Sequence, residues 1–157
     1  MRGGPFPLMT RLKRIALLLS LTIPALGADQ AADIVKYRQT VMKAMGAHMK
    51  AVSMIATKQI GNRSQLAGHA AAVRSLAAGL TAFFPKSTSP DKIYSESRPA
   101  IWQHWSDFEA AAKTLERDSA NLVAAAKGKD EHALAAAVDT TNKACGGCHK
   151  QFREEHD

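Results

Sequence analysis

Aromatic residues are scarce in this chain, 6% of 157 positions, and cysteine is scarcer, with only two. The 46% hydrophobic content is largely alanine, which suits closely packed helices. A β-sandwich core would want more aromatic and β-branched side chains. Two cysteines form at most one disulfide, so no disulfide scaffold holds the fold. The longest apolar run, Ile15 to Ile23, is too short to be a comfortable membrane span. A dense basic cluster is missing too, which leaves no case for nucleic-acid binding.

What that apolar run does suit is export. Arg11, Lys13 and Arg14 precede it, and Pro24-Ala25-Leu26-Gly27-Ala28 follows with small residues for cleavage after Gly27 or Ala28. Met9 is a candidate start within this stretch. Residues 1–28 are therefore expected to be a cleaved signal peptide, with 29–157 as a single domain in the periplasm and no stable membrane anchor after cleavage. The leader holds four of the 21 basic residues and no acid. Without it, 17 basic face 14 acidic residues, a net charge of +3, which fits a soluble protein that meets acidic partners.

Four segments carry helical periodicity. The first, from Ala31 to Lys58, has Val35, Arg38, Met42, Met45, Met49, Val52 and Ala56 in steps of three and four, and Gly61-Asn62 ends it. The second, from Ser64 to Phe84, buries Leu66, Val73, Leu76, Leu80 and Phe83 and stops at Pro85. A connector from Pro85 to Arg98 lacks periodicity. Pro99 opens the third helix, with a stripe of Ile101, Trp105, Phe108, Ala112, Leu115, Leu122 and Ala126 and a C-cap at Gly128. Asp130 caps the fourth, whose stripe is Leu134, Val138, Thr141, Cys145, Cys148 and Phe152. The expected fold is all-α, an antiparallel up-down four-helix bundle.

The chemistry lies in Cys145-Gly146-Gly147-Cys148-His149, the C-x-x-C-H pattern of covalent haem attachment. Positions i and i+3 of a helix share a face, so both thiols reach one edge of a porphyrin and add to its vinyl groups. His149 then binds iron as the proximal ligand. The small Gly146 and Gly147 let the macrocycle lie close to the backbone. Zinc would want a second ligand pair, and a thioredoxin-like redox pair would want a βαβ setting. Neither is present. One covalently attached haem c, near the C-terminal helix, is the expected cofactor. Only eight residues follow His149 and none is methionine, so any sixth ligand comes from upstream.

Lys36-Tyr37-Arg38-Gln39, Phe83-Phe84-Pro85, Pro99-Ala100-Ile101-Trp102 and Ala144 to His149 with Phe152-Arg153 together resemble class II cytochromes c, the cytochrome c′ family and its low-spin relatives. The resemblance spans essentially the whole chain after the leader. It implies haem held between the helices of an up-down bundle, and a periplasmic electron-transfer or gas-binding role. Counting from Tyr37-Arg38, Met42 stands where low-spin members have a methionine ligand and high-spin members usually an apolar residue.

The leading expectation is a low-spin, single-electron carrier with His149/Met42 ligation, exchanging electrons with redox partner proteins and not acting as an enzyme. The alternative is a five-coordinate, high-spin cytochrome c′ that binds nitric oxide or another small gas, with Met42 only facing the iron. Met45 and Met49 are read as core. Arg38, a charge within an apolar stripe, either pairs with a haem propionate, as the resemblance implies, or reaches the surface. Arg153 lies four residues after His149, beside it or beside the haem edge. Tyr37 and Lys36 are weaker candidates for the haem rim. His48, His69, His104 and His132 fit no ligand pattern. Monomer and homodimer both remain open, because the family resemblance carries dimers and the helix faces here are alanine-rich.

Overall fold

A computed structural model of the chain describes residues 26–154. The expected leader, residues 1–25 of it, lies outside them. Among the described residues five α-helices form and no strand beyond one isolated bridge. The helices are α1 (Leu26–Ala56), α2 (Leu66–Ala77), α3 (Ala100–Gln103), α4 (Trp105–Lys127) and α5 (Glu131–Phe152). The four longer ones close a ring in which α1 packs on α2, α2 on α4, α4 on α5 and α5 back on α1. This is the four-helix bundle read from the periodicity. No helix among the described residues is long and apolar enough to cross a membrane.

The buried stripe of α1 runs through Val35, Arg38, Val41, Met45, Met49, Val52 and Ile55. It differs from the expected one at Val41 and Ile55, which replace half-buried Met42 and Ala56. The helix also stops earlier than Gly61-Asn62. Lys58 takes a left-handed φ of 62° while its N–H donates to Ile55 O at 3.1 Å. A lysine so placed costs about 1 kcal/mol. Its side chain reaches Glu131, in the first turn of α5, at 2.7 Å.

The second helix is the larger correction. It ends at Ala77, where Gly79 turns left-handed with φ 68°, and a 3-10 turn over Leu80–Phe83 carries the chain on. Apolar spacing continues through this break, which hid it, although glycine is the usual residue for a left-handed helix end. The change of direction buries Phe84 rather than Phe83.

The connector is not structureless. A 3-10 turn spans Lys86–Thr88, and both Thr88 and Ser95 are buried. Its far end pins the end of α5, with Arg98 N–H donating to Phe152 O at 2.9 Å and Glu154 N–H to Glu96 O at 2.8 Å. The expected third helix breaks at His104 into α3 and α4. Half-buried Trp102, in α3, donates its Nε1–H to Phe84 O at 3.1 Å. Gly128 does close α4, with an ordinary φ of −79°. Asp130 caps α5, its Oδ1 accepting from His132 N–H at 2.9 Å and Ala133 N–H at 3.0 Å.

Candidate haem site

In α5, Cys145 and Cys148 sit three apart on the half-buried face, with His149 next to them. Both cysteines are free thiols. Burial raises both thiol pKa values, that of Cys148 to about 11, with the neighbouring Cys145 adding to it. The His149 imidazole is shifted down, first by burial and then by the charge of Arg153. A Cβ added at exposed Gly146 or Gly147 would meet nothing within 4 Å, so the outer side of the motif is open.

Two cavities flank this motif between α5 and α1. One, of about 330 Å³, is lined by Arg38, Met42, Cys148, His149 and Arg153, among others. The second, of about 380 Å³, is lined by Met42, Cys145, Cys148 and His149 together with Met45 and Met49. All six residues singled out from the sequence therefore lie on these two spaces. Met42 of α1 and Cys148 and His149 of α5 line both. Met45 and Met49 are core residues, as read, and also wall the second cavity.

Arg38 does not reach the surface; its relative exposure is 3%. Nη1–H donates to Phe83 O and to Thr88 Oγ1, each at 3.2 Å, and Nη2–H to Ser95 Oγ at 3.1 Å. The guanidinium also lies 4.4 Å from the centroid of the Phe84 ring. Burial lowers its pKa to about 10, so it is still a cation at neutral pH. Among the described residues no carboxylate lies within 4.0 Å of it. A buried cation with only neutral partners beside a cavity is the expected setting for an acidic group of a bound molecule. Arg153 is half-exposed and pairs with Glu96 at 3.8 Å. Tyr37 is 55% exposed and packs edge-on against Phe83 instead of lining either cavity.

Sequence reasoning missed Phe84, Thr88, Ser95 and Glu96, all near the first cavity. Phe84 is absent from the apolar stripe of the second helix, which ends before it at Ala77. The other three sit in the connector, where no periodic signal exists. It also missed a pair on α1 and α2, where His48 Nδ1 and His69 Nδ1 are 2.9 Å apart. The ring centroids are 5.2 Å apart, which leaves the two nitrogens nearly in line between them. One ring therefore donates its Nδ1–H to the other's lone pair.

Residues 33–153 match the family model described as Cytochrome C'. The chain belongs to the cytochrome c′ family. Cytochrome c′ of Rhodospirillum rubrum is 32% identical over 149 residues, covering 94% of this chain and 100% of the relative. The crystal structure of cytochrome c′ from Rubrivivax gelatinosus aligns with a TM-score of 0.72 at 31% identity, covering 79% of this chain and 97% of that one. A nitric oxide complex of a leucine-to-isoleucine mutant of cytochrome c prime from Alcaligenes xylosoxidans aligns with a TM-score of 0.71 at 25% identity, covering 80% and 97%. Proteins named cytochrome c-556 and c-554 also match, between 28% and 36% identical.

The family carries covalently attached haem c, and the residues present fit that group. Two free thiols share one helical face, a histidine adjoins them, apolar space lies on both sides, and a buried cation waits at one end.

Proposed function

We propose that this chain is a periplasmic cytochrome c′ that binds nitric oxide or a similar small gas at the Met42 side of its haem, and that it is not an enzyme. The observation that carries this is its likeness, over almost the whole length of that relative, to a cytochrome c prime in complex with nitric oxide. When bound, haem c supplies an iron that exchanges one electron and, on an open face, coordinates a diatomic gas. Cys145 and Cys148 would hold it through thioethers, His149 would take the proximal position, and Arg38 would neutralise a propionate. Arg153 adds positive charge beside His149 and favours its neutral, ligating form. Met42, Met45 and Met49 would line the haem space with apolar, polarisable side chains.

The second reading makes Met42 the sixth ligand of a low-spin electron carrier. Its support is that Met42, from α1, and His149, from α5, line the same two cavities. The optical spectrum of the purified holoprotein separates the two. A high-spin ferric spectrum, with nitric oxide and carbon monoxide binding to the ferrous form, is the expected result. A ferric charge-transfer band from thioether to iron, lost in Met42→Ala, would instead establish the electron carrier.

A further inference from the structure

From Ile34 to Ala56, α1 contains no acidic residue, yet it carries Lys36, Lys43 and Lys50 at intervals of seven. Seven residues are about two turns, so successive lysines stand about 10.5 Å apart along the helix and drift by only about 20° per step. They form one cationic stripe. It borders the haem groove, because exposed Lys43 lines the first cavity and exposed Lys50 the second.

None of the three has a carboxylate within 4.0 Å among the described residues. Among the described residues the acids of α5 and of the segment after it are engaged elsewhere: Glu131 pairs with Lys58 at 2.7 Å, Asp139 with Lys143 at 2.7 Å and Glu154 with Arg98 at 3.5 Å. Glu96, on the first cavity, pairs with Arg153. On α4, by contrast, four acids are interspersed with three bases. The positive field is thus concentrated beside the groove.

We infer that this stripe is the docking face for an acidic one-electron carrier protein, which sets the oxidation state of the haem. The inference rests on the haem reading above. One electron leaves the reduced partner and enters the ferric iron, and no bond is made or broken. Charge complementarity steers such an encounter and raises its rate. Of the positions one turn from Lys43 and Lys50, Gln39, Thr40, Gly46, Ala47 and Ser53 are polar or small, and the one large apolar side chain, Met54, is half-buried, so a partner can approach the groove closely. A lipid-binding face would need large apolar side chains among its lysines.

An acidic flavodoxin serves as the probe, with the holoprotein carrying Lys43→Glu and Lys50→Glu, and a control carrying Lys113→Glu and Lys127→Glu on α4. Both double variants change net charge equally. At low ionic strength the α1 variant should lose about tenfold in reduction rate by flavodoxin hydroquinone and in calorimetric affinity for oxidised flavodoxin, the control less than about twofold. Salt should erase the difference as screening shortens to about 10 Å at 0.1 M. Amide shifts on adding flavodoxin should cluster between residues 36 and 53 and around 149. Equal losses in the two variants, or scattered shifts, would overturn the inference. So would unchanged flavodoxin binding combined with lost binding to phosphatidylglycerol vesicles, which would assign the stripe to a membrane surface. A protein lacking thioether-bound haem would count against the haem reading alone, since calorimetry and amide shifts do not need it.

Discussion

The end of α5 and the segment from Ala78 to Arg98 both border the haem groove, yet they are built in opposite ways. In α5 the candidate haem-binding residues lie within five consecutive positions, and a local cap at Asp130 starts the helix that displays them. In the other segment the apolar spacing of Leu80 and Phe83 misleads, and from Pro85 onward nothing is periodic. Its shape comes from a left-handed glycine, two 3-10 turns and a buried arginine from 45 to 57 residues away. Chemistry that must be covalent is written compactly, while the polar frame around it is gathered from distant parts of the chain.

The comparison breaks most visibly at the cysteines. Replacing Cys145 and Cys148 with Ser should abolish covalent attachment, so that the mass after acid–acetone extraction equals the bare mature polypeptide. A retained haem mass would remove the attachment assignment.

The long-range half is tested at Arg38. Its three hydrogen bonds hold Phe83, Thr88 and Ser95. Arg38→Leu should cost about 3 kcal/mol in denaturant unfolding, because hydrogen bonds to a charged donor are lost and their buried acceptors are left unpaired. Hydrogen exchange should accelerate between residues 80 and 98 and stay slow in α5. Uniform acceleration across the bundle would contradict the division of labour.

A third test asks how far the α5 site is truly local. The Cys148 thiol titrates near 11 chiefly because of burial, a property of the fold, with the neighbouring Cys145 of the motif adding to it. In protein produced without haem attachment, less thiolate is present at neutral pH, partly offset by its greater nucleophilicity. Alkylation of Cys148 by iodoacetamide at pH 7 should therefore be roughly thirtyfold slower than in the urea-unfolded chain. The folded rate should keep rising up to about pH 11. Equal rates would mean that the motif sets its own reactivity.

The smallest effect belongs to the left-handed break. Gly79→Ala has open space for its methyl group but an unfavourable φ of 68°. It should cost about 1 kcal/mol in thermal or urea unfolding. A neutral result would mean that the chain can enter the segment by another route.

Most of the bundle was legible because apolar spacing repeats locally: Leu66, Val73, Phe108, Leu122 and Leu134 are buried as read. Errors fell at helix ends, where Lys58 and Gly79 turn left-handed inside spacing that still looks helical. The C-x-x-C-H motif of α5 was readable from residue type and interval alone. The partners of Arg38 were not, because Thr88 and Ser95 resemble any loop residues until α1 lies against them.

By itself, the sequence carries the C-x-x-C-H motif, four amphipathic segments and lysines at intervals of seven on the first of them, since each depends only on intervals along one chain segment. Only the tertiary structure decided that Arg38 points inward, that Met42 and His149 line the same cavities and that His48 meets His69. Those outcomes depend on which helix faces meet. Burial of the whole apolar surface selects that arrangement, and no single segment encodes it.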